Sequence, residues 1–535
     1  MNRLRQGKAG LALVVSALLA AGCSAAGGAG AVPADAPPKP GGTLTFATDA
    51  DPGCLDPQQS ATAASQLISR GVVDSLVAQD PRTLEIKPWL AQSWEVSPDA
   101  TTFTFHLRDG VTFSDGTPFD AAAVKANLDR IVDPATKSLL AASLLTGYAG
   151  TTVPDVRTVI VRFSAPNAPF LQAASTAFLG MESPASFAPG PQALCQKVIG
   201  SGPFVLGAVV PQQSIELDRR AGYAWAPPTA GHQGAVYLDK VAIKIVPENG
   251  VRLGSLRSGE FDAVANVPPR DAGSLTGDFQ VLSKQQPGLA YSLLLNTGRG
   301  VLTDPVVRQA IAKSINTEQI VSTLYEDRYP RAKSILTPTT PGYADVLDAG
   351  QFDPGAAERA LDQAGWVIGA DGTRSKNGTR LSVEWTYSSP AREQRDVLAQ
   401  LVQQQLKAVG IEVRLNPLPA GETISRQLSG NVELSDMSFV RADGDVLRSA
   451  FYAPQGGKPA FTDPQLAREL TDATSTTDPA RRASDYAQAQ RLAVDAAIVI
   501  PIYDPTYLLG VSGAARGIAF DPQGLPEFYD AWVAR

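Results

Sequence analysis

The sequence predicts an α/β protein of two or three domains, and three observations lead to that fold class. Segments with the two-residue period of strands alternate with segments that have the 3.6-residue period of helices. The chain has 535 residues, far more than one hydrophobic core usually needs. One helix is preceded and followed directly by a strand, which is the order of a parallel βαβ unit.

The N-terminus has the organisation of a bacterial export signal. A basic region comes first and contains Arg3, Arg5 and Lys8. Residues 11–21 then form an apolar run that is too short for a permanent membrane span. The run ends in Leu-Ala-Ala-Gly-Cys at residues 19–23, which resembles a lipobox with Cys23 as the first mature residue.

That resemblance implies a lipoprotein. Residues 1–22 would be the signal peptide, and a diacylglycerol on Cys23 would anchor the protein to the outer face of the cell membrane. An ordinary secretory signal with a chance cysteine is the alternative. Residues 23–40 are mostly Ala, Gly and Pro, which predicts a flexible tether without a core of its own.

Charge and composition exclude several classes of partner. The formal net charge is −7, and removal of the signal peptide takes away three positive charges and brings it to −10. An acidic surface argues against nucleic acid and against adsorption to anionic lipid, so the lipid anchor is the only predicted membrane contact. Beyond Cys23, only Cys54 and Cys195 remain. In an exported chain these two predict a disulfide, with two unrelated buried thiols as the alternative.

Residues 90–131 carry the clearest local pattern. Apolar and polar residues alternate there in a predicted half-buried strand, whose inward positions are Phe103, Phe105 and Leu107. Asp109-Gly110 predicts a two-residue hairpin turn, with residues 111–113 returning as the paired strand. Asp120 predicts the N-cap of a helix with one apolar face, formed by Val124, Leu128 and Ile131.

The second half of the chain repeats such signals. Asp304-Pro305 and Asp353-Pro354 place Asp at an N-cap and Pro at the first helical position. Two Gly-containing pairs predict hairpin turns, namely Asp371-Gly372 and Asn377-Gly378. A strand over residues 381–387, a helix that ends at Gly410 and a strand over residues 411–415 then predict a parallel βαβ unit.

The run from Trp94 to Pro118 resembles the signature of family 5 extracellular solute-binding proteins, the ligand-capturing subunits of peptide-type ABC importers. Its pattern is W-E-V-S-P-D-x-x-T-F-T-F-x-L-R-x-G-V-x-F-S-D-G-x-P. Residues 200–204 resemble the family's G-T-G-P-F segment, and residues 304–311 resemble its D-x-x-V-R-Q-A-I helix. Residues 219–225 depart from the family's R-N-P-x-Y-W pattern.

The resemblance implies a class II periplasmic-binding-protein fold, a two-lobe α/β "Venus flytrap" with an extra subdomain inserted in lobe one. Lobe one would comprise residues 41–79, 198–288 and 503–535, with 80–197 as the inserted subdomain. Lobe two would comprise residues 289–502. The chain would then cross between the lobes near 285–291 and 499–504, and such crossings act as hinges that let the lobes close around a ligand.

The sequence contains no motif that predicts catalysis. There is no G-x-S-x-G, S-x-x-K or P-loop pattern, and neither His106 nor His232 has an identifiable nucleophile partner. No His or Cys lies at metal-ligand spacing, so no zinc or copper site and no cofactor are predicted. A sensory lipoprotein that binds the same ligands, and an exported enzyme, are the alternatives to a transport receptor.

The best ligand-binding segment in the sequence is residues 438–445. In peptide-binding members of the family, a similar segment provides an Asp for the ligand's α-ammonium, and Asp443 or Asp445 matches that position. The alternative for both is an Asx turn. Arg441 would pair with a ligand carboxylate, or with one of these aspartates.

Three aromatic side chains complete the predicted substrate-binding set, namely Trp385, Tyr387 and Tyr503. Trp385 lies on an alternating strand, where a core position is the alternative. The predicted protein is a monomeric, lipid-anchored solute-binding protein that delivers a small solute, most often a peptide in this family, to an ABC permease and ATPase complex.

Overall fold

The structure, a computed structural model, describes residues 37–138, 140–347, 351–389, 391–451 and 463–535. The predicted signal peptide, Cys23 and residues 23–36 of the predicted tether lie outside these residues. Residues 37–40 are exposed and have no regular secondary structure. No helix in the described part of the chain combines the length and apolarity that a membrane crossing needs.

A seven-stranded mixed sheet, the large sheet, is formed mainly by the N-terminal half of the chain and receives one strand from near the C-terminus. The strand Thr43–Thr48 lies at its centre and pairs in parallel with strands on both sides. In spatial order its strands are Phe279–Gln285, Thr506–Ser512, Ala263–Val264, Thr43–Thr48, Lys240–Ile245, Ser214–Arg219 and Phe204–Val210.

A five-stranded sheet, the second sheet, is formed by residues 288–503. In sequence, these residues lie between the two segments of chain that connect this sheet to the large sheet. In spatial order its strands are Glu412–Leu418, Ser382–Ser388, Leu434–Val440, Gly288–Leu295 and Val499–Tyr503. Ser382–Ser388 and Glu412–Leu418 pair in parallel, joined by the helix Arg395–Ala408, which confirms the predicted βαβ unit. The chain passes between the sheets at residues 285–288 and again at residues 503–506.

A third sheet of four antiparallel strands lies within residues 91–163. Its strands, in spatial order, are Ala91–Val96, Thr102–Leu107, Thr158–Phe163 and Tyr148–Asp155. The predicted burial of Phe103, Phe105 and Leu107 is confirmed. Asp120 caps the helix Ala121–Val132 by accepting a hydrogen bond from the backbone N–H of Ala123, as predicted.

The hairpin predicted at Asp109-Gly110 is wrong. Both edges of Thr102–Leu107 are already paired, one with Ala91–Val96 and the other with Thr158–Phe163, so no edge remains for residues 111–113. That segment makes only an isolated bridge from Thr112 to Pro118. The positive φ of Gly110, 76°, therefore serves a loop that leaves the sheet.

Four smaller β-structures and the helices complete the described fold. The hairpin turn predicted at Asn377-Gly378 is confirmed, because Arg374–Lys376 pairs with Thr379–Arg380 across it. The small strand groups are Val367–Ile368 with Arg374–Lys376 and Thr379–Arg380, Val77–Gln79 with Ile86–Pro88, Ala515–Arg516 with Trp532–Val533, and Ala519–Phe520 with Pro526–Glu527. The α-helices are Ala63–Ser69, Ala121–Val132, Leu140–Leu144, Phe170–Ala173, Pro191–Leu194, Asn249–Ser258, Pro269–Ala272, Pro305–Ser314, Thr317–Tyr325, Pro354–Gln363, Arg395–Ala408, Ala420–Leu428, Val446–Phe451, Pro464–Asp472 and Pro479–Asp495.

The predicted disulfide between Cys54 and Cys195 is confirmed. Their Cα atoms lie 4.2 Å apart, and the bond closes a loop of 141 residues. The N–H of Leu55 also donates to the carbonyl oxygen of Cys195, 3.0 Å away. The bond thus fastens the segment after the central strand of the large sheet to the segment after the helix Pro191–Leu194.

Candidate functional site

One edge of the second sheet collects the carboxyl ends of four parallel strands. The strand Ser382–Ser388 pairs in parallel with Glu412–Leu418 and with Leu434–Val440. Val499–Tyr503 runs in the same direction as these three, because Gly288–Leu295 is antiparallel both to it and to Leu434–Val440. Both crossings to the large sheet leave from this edge. In open α/β sheets, ligands bind in the crevice beyond the carboxyl ends of the strands, so this edge is the candidate site.

The side chain of Arg395 is the centre of that site, which we call the interlobe site and define by Tyr291, Glu393, Arg395, Asp436 and Tyr503. Arg395 follows the strand Ser382–Ser388 and begins the next helix. Its Nη2 donates to Glu393 at 2.7 Å and to the hydroxyl of Ser438 at 3.0 Å. Its Nε donates to the hydroxyl of Tyr503 at 3.1 Å. Nη1 has no acceptor among the described residues, and the side chain is 22% exposed.

Aromatic rings form the floor beneath this guanidinium. The Arg395 guanidinium lies 4.3 Å from the centroid of the Tyr291 ring, a cation–π contact. Tyr291 and Tyr503 stack with their ring centroids 4.7 Å apart. Tyr503 also donates a hydrogen bond to Glu393, and Tyr291 donates one to Asp436 at 2.7 Å. Both tyrosines are completely buried, so they fix the orientation of the charged groups above them.

The charges of the site are held in their ionised forms by each other. Burial would raise the pKa of Glu393, but Arg395 and the Tyr503 hydroxyl bring that pKa below its usual value. Burial would lower the pKa of Arg395, but Glu393 holds it well above its usual value. Burial raises the pKa of Asp436, so this carboxyl group is more readily protonated than that of Glu393. A guanidinium with one free N–H group therefore persists in this partly enclosed site.

The backbone beside Arg395 is strained. Glu393 and Gln394 both have φ of 55°, in the left-handed region that non-glycine residues rarely adopt. Such strain persists only where the surroundings enforce it, and it concentrates at functional sites. Here it places the Glu393 carboxylate against the guanidinium two residues later.

Contacts across the crossings bring both sheets to the site. Arg392, next to the strained pair, lies 3.3 Å from Asp49, which directly follows the central strand of the large sheet. Asn266 donates to the other oxygen of Asp49 at 2.8 Å. Near Asp443, the carboxamide of Gln79 donates to the carbonyl oxygen of Ala442 at 3.2 Å.

The predicted acidic segment lies just beyond the strand Leu434–Val440, at the same edge. Asp443 accepts two hydrogen bonds from Arg482, at 2.8 and 3.1 Å, and one from the N–H of Asp445, which is the Asx turn that the sequence left open. Asp445 is completely buried between Arg441 and Arg448, with Nη1 of Arg441 3.0 Å from its carboxylate. Arg441 thus has the internal partner that the sequence offered as its alternative.

The predicted aromatic residues occupy different depths. Tyr503 belongs to the interlobe site, but it lies under Arg395 and is not a cleft wall. Trp385 is completely buried in the core of the second sheet, and Tyr387 is 7% exposed near the carboxyl end of the same strand. Tyr387 is therefore the most exposed of the three predicted aromatic residues.

Four members of the site escaped the sequence analysis: Tyr291, Glu393, Arg395 and Asp436. A signal for two of them was present in the sequence. Glu393 and Arg395 immediately follow the first strand of the predicted βαβ unit, and parallel topology places that position at the ligand-binding edge. Tyr291 and Asp436 meet only because their strands pair, which the local sequence does not reveal.

Residues 85–479 match the family described as bacterial extracellular solute-binding proteins, family 5 Middle. The chain belongs to this family. The match covers most of the described fold and every residue of the interlobe site except Tyr503, and it confirms the resemblance found in the sequence. The family 5 protein described here is therefore an extracellular solute-binding protein.

Several named proteins are similar to it. The glutathione-binding protein GsiB of Escherichia coli strain K12 is 27% identical over 450 residues, covering 82% of this chain and 84% of GsiB. GsiB of Salmonella paratyphi A is 26% identical with the same coverage.

Solved structures show the same fold. NikA of Brucella suis, solved with Fe(III)-EDTA, has a TM-score of 0.79 at 24% identity and covers 92% of this chain and 100% of its own. DppA of Helicobacter pylori, solved with the peptide STSA, has a TM-score of 0.78 at 23% identity, with coverage of 93% and 99%. The two-lobe α/β fold class is thereby confirmed.

Proposed function

We propose that this family 5 protein captures a small carboxylate-bearing solute, a peptide in the first instance, at the interlobe site and delivers it to an ABC permease and ATPase complex. The observation that carries the proposal is the Arg395 guanidinium, which keeps one N–H group free at the ligand-binding edge. Arginine binds carboxylates through directed, charge-assisted hydrogen bonds. We place lobe one, its inserted subdomain and lobe two at the boundaries given by the sequence, with the crossings as hinges.

The ligands named for similar proteins support a carboxylate. Glutathione, the peptide STSA, the dipeptide Met-Leu and agropinic acid differ in size and charge, but each carries at least one carboxylate. Fe(III)-EDTA is also a carboxylate complex. A guanidinium at a fixed position in the cleft suits all of these, while the surrounding residues would select among them.

We assign the ligand's ammonium to Asp443 and not to Asp445. Asp445 is completely buried between two arginines, so two cations already compensate its charge. Asp443 has one arginine partner and retains capacity to accept a further hydrogen bond. An ammonium at Asp443 and a carboxylate at Arg395 would lie along the same sheet edge, which fits a short zwitterionic peptide.

Replacing Arg395 with Ala is expected to weaken peptide binding ten- to hundredfold, because about 1.5–3 kcal/mol is typical for a hydrogen bond to a charged group. The affinity of di- and tripeptides, glutathione included, is measured by isothermal titration after native mass spectrometry has identified those that bind. Amidation of the peptide's C-terminus should lower its affinity for wild-type protein by the same factor. It should lower the affinity for the Arg395→Ala variant only slightly, because the partner of the carboxylate is already missing.

Two control variants sharpen this test. Arg395→Lys keeps the charge but not the planar guanidinium, so its affinity for peptide should lie between those of wild type and Arg395→Ala. Arg414→Ala removes an exposed arginine that contacts Ser382 at the opposite end of the second sheet, and it should bind peptide like wild type. Equal loss on amidation in wild type and Arg395→Ala would place the carboxylate elsewhere.

We also propose that the mature protein is a monomer tethered by a lipid on Cys23. Replacing Cys23 with Ala is expected to move the protein from the membrane fraction to the medium, or to leave the signal peptide uncleaved, because no thiol remains for acylation. Fractionation followed by mass spectrometry of the N-terminus measures both results. Unchanged membrane association of the variant would contradict the anchor.

A further inference from the structure

A cavity separate from the interlobe site lies between the region of residues 70–89 and the C-terminal hairpin. Its volume is about 90 Å³. None of the residues that line it belongs to the second sheet. Those used below are Arg70, Asp74, Trp89, Tyr223, Asp521, Gln523, Glu527 and Tyr529, and we call this space the lobe-one cavity.

Four carboxyl groups line this cavity. Asp530 contacts the His232 ring at 2.7 Å, whereas Asp74, Asp521 and Glu527 have no salt bridge among the described residues. Asp74 accepts hydrogen bonds from Trp225 at 2.8 Å and Tyr223 at 3.2 Å, and Asp521 accepts two from backbone N–H groups of its own turn. The carboxyl group of Glu527 has no hydrogen-bond partner in the described part of the chain. Burial raises the pKa of Asp74 and of Asp521 to about 6 and that of Glu527 to about 7, so all three are ionised at pH 8.

Arg70 is the only Lys or Arg among the described residues that line the cavity, and it does not contact these acids directly. The guanidinium of Arg70 donates to the Ser75 hydroxyl at 3.0 Å and to the Ser175 carbonyl oxygen at 2.8 Å. It lies 5.2 Å from the centroid of the Trp89 ring and makes no salt bridge among the described residues. Asp74, Asp521 and Glu527 together face a single arginine, so the cavity keeps a net negative charge, which is costly where burial reduces solvation.

An independent observation also indicates a ligand. Gln523 lines the cavity, and only 5% of this residue is exposed. Its carboxamide has no hydrogen-bond partner among the described residues. Buried carboxamides are nearly always hydrogen-bonded, so this group requires a partner inside the cavity. Aromatic rings of Trp89, Tyr223 and Tyr529 form apolar and π-rich walls beside it.

We propose that the lobe-one cavity is a second ligand site that binds a small organic ammonium ion. The carboxylates of Asp74, Asp521 and Glu527 supply the charge, Gln523 accepts a hydrogen bond, and the aromatic rings favour a cation over a neutral molecule. A metal ion is disfavoured because no group of three or more acidic, His or Cys side chains within the described residues has ligand geometry. The volume is below the roughly 150 Å³ that accommodates benzene, which limits the ligand to a few heavy atoms.

The test uses the full-length protein and three molecules of matched shape: n-propylammonium, propan-1-ol and propionate. At pH 8 we expect n-propylammonium alone to raise the thermal unfolding midpoint saturably, with a Kd measurable by titration calorimetry. At pH 5 the affinity should be at least tenfold lower, because the carboxyl groups take up protons. Glu527→Gln should weaken binding at pH 8 at least tenfold, whereas Glu260→Gln, at an exposed glutamate, should not change it.

Each opposite result overturns the proposal. Equal stabilisation by propan-1-ol would make the space an apolar void, and no saturable effect of n-propylammonium would make it a water-filled one. Unchanged affinity in Glu527→Gln would exclude the carboxylates as the recognition element. If that variant does not fold, equal wild-type affinities at pH 5 and pH 8 would exclude the carboxylates in the same way.

Discussion

Replacing Cys54 and Cys195 together by Ala is expected to lower the free energy of unfolding by about 5 kcal/mol. The disulfide closes a loop of 141 residues, and for a loop of that length the lost freedom of the unfolded chain has this size at 25 °C. A backbone hydrogen bond from Leu55 to Cys195 also connects the two segments that the disulfide joins. Thermal and urea unfolding of the double variant and wild type measure the difference.

Reduction provides the matched control for this prediction. Both cysteines are partly exposed, so dithiothreitol should lower the unfolding midpoint of wild type towards that of the double variant. The reductant should have no effect on the variant itself. Coincident unfolding curves for oxidised wild type and the variant would show that the unfolded chain does not gain freedom when the loop is opened.

Replacing Asp504 with Asn is expected to stabilise the protein at pH 8 by about 5 kcal/mol and to have little effect at pH 3.5. Asp504 lies at the second crossing between the sheets and is 2% exposed. Its Oδ2 accepts a hydrogen bond from Gln285 at the first crossing, 3.2 Å away, while Oδ1 has no partner among the described residues. Burial raises the pKa of Asp504 from 3.8 to about 8.

The sign of the effect follows from proton linkage. Below pH 3.8 the carboxyl group is protonated in both the folded and the unfolded state, so it does not alter stability. Between pH 4 and pH 8 the unfolded state is ionised while the folded state retains the proton, and stability falls by about 1.4 kcal/mol per pH unit. Asn keeps an oxygen for Gln285 and removes this penalty.

The measurement is the difference in unfolding free energy between Asp504→Asn and wild type from pH 3.5 to pH 8.5. It should grow with pH and level off above pH 8. Asp278→Asn, at an exposed aspartate, is the matched control and should give a flat difference. A flat difference for Asp504→Asn would mean that its carboxyl group ionises normally in the folded protein.

Local sequence patterns predicted most regular elements correctly because their causes are local. The N-cap at Asp120 and the turn at Asn377-Gly378 depend on side chains within a few residues, and both are present. The βαβ unit followed from hydrophobic periodicity and the right-handed crossover. The hairpin at Asp109-Gly110 failed because strand pairing is decided by partners that lie elsewhere in the chain.

The candidate site was predicted in part. Asp443 and Tyr503 both lie at the carboxyl edge of the second sheet, since strand ends can be located from the pattern. The pair of Arg441 with Asp445 was one of the alternatives that the sequence offered. The pair of Asp443 with Arg482 could not be foreseen, because Arg482 comes from a helix 39 residues away. Arg395 likewise becomes a site residue only through Tyr503 and Ser438, which come from other strands.

The sequence by itself determined the family from a long motif, the fold class from hydrophobic periodicity and the disulfide from the number of cysteines. Each of these features can be identified without knowing which residues meet in space. The tertiary structure alone decided which charged groups are partnered and which are not. Whether a carboxylate such as Asp443, Asp504 or Glu527 has a cation beside it depends on strands and helices distant in sequence. Burial then determines how strongly each unpaired charge requires a ligand or a proton.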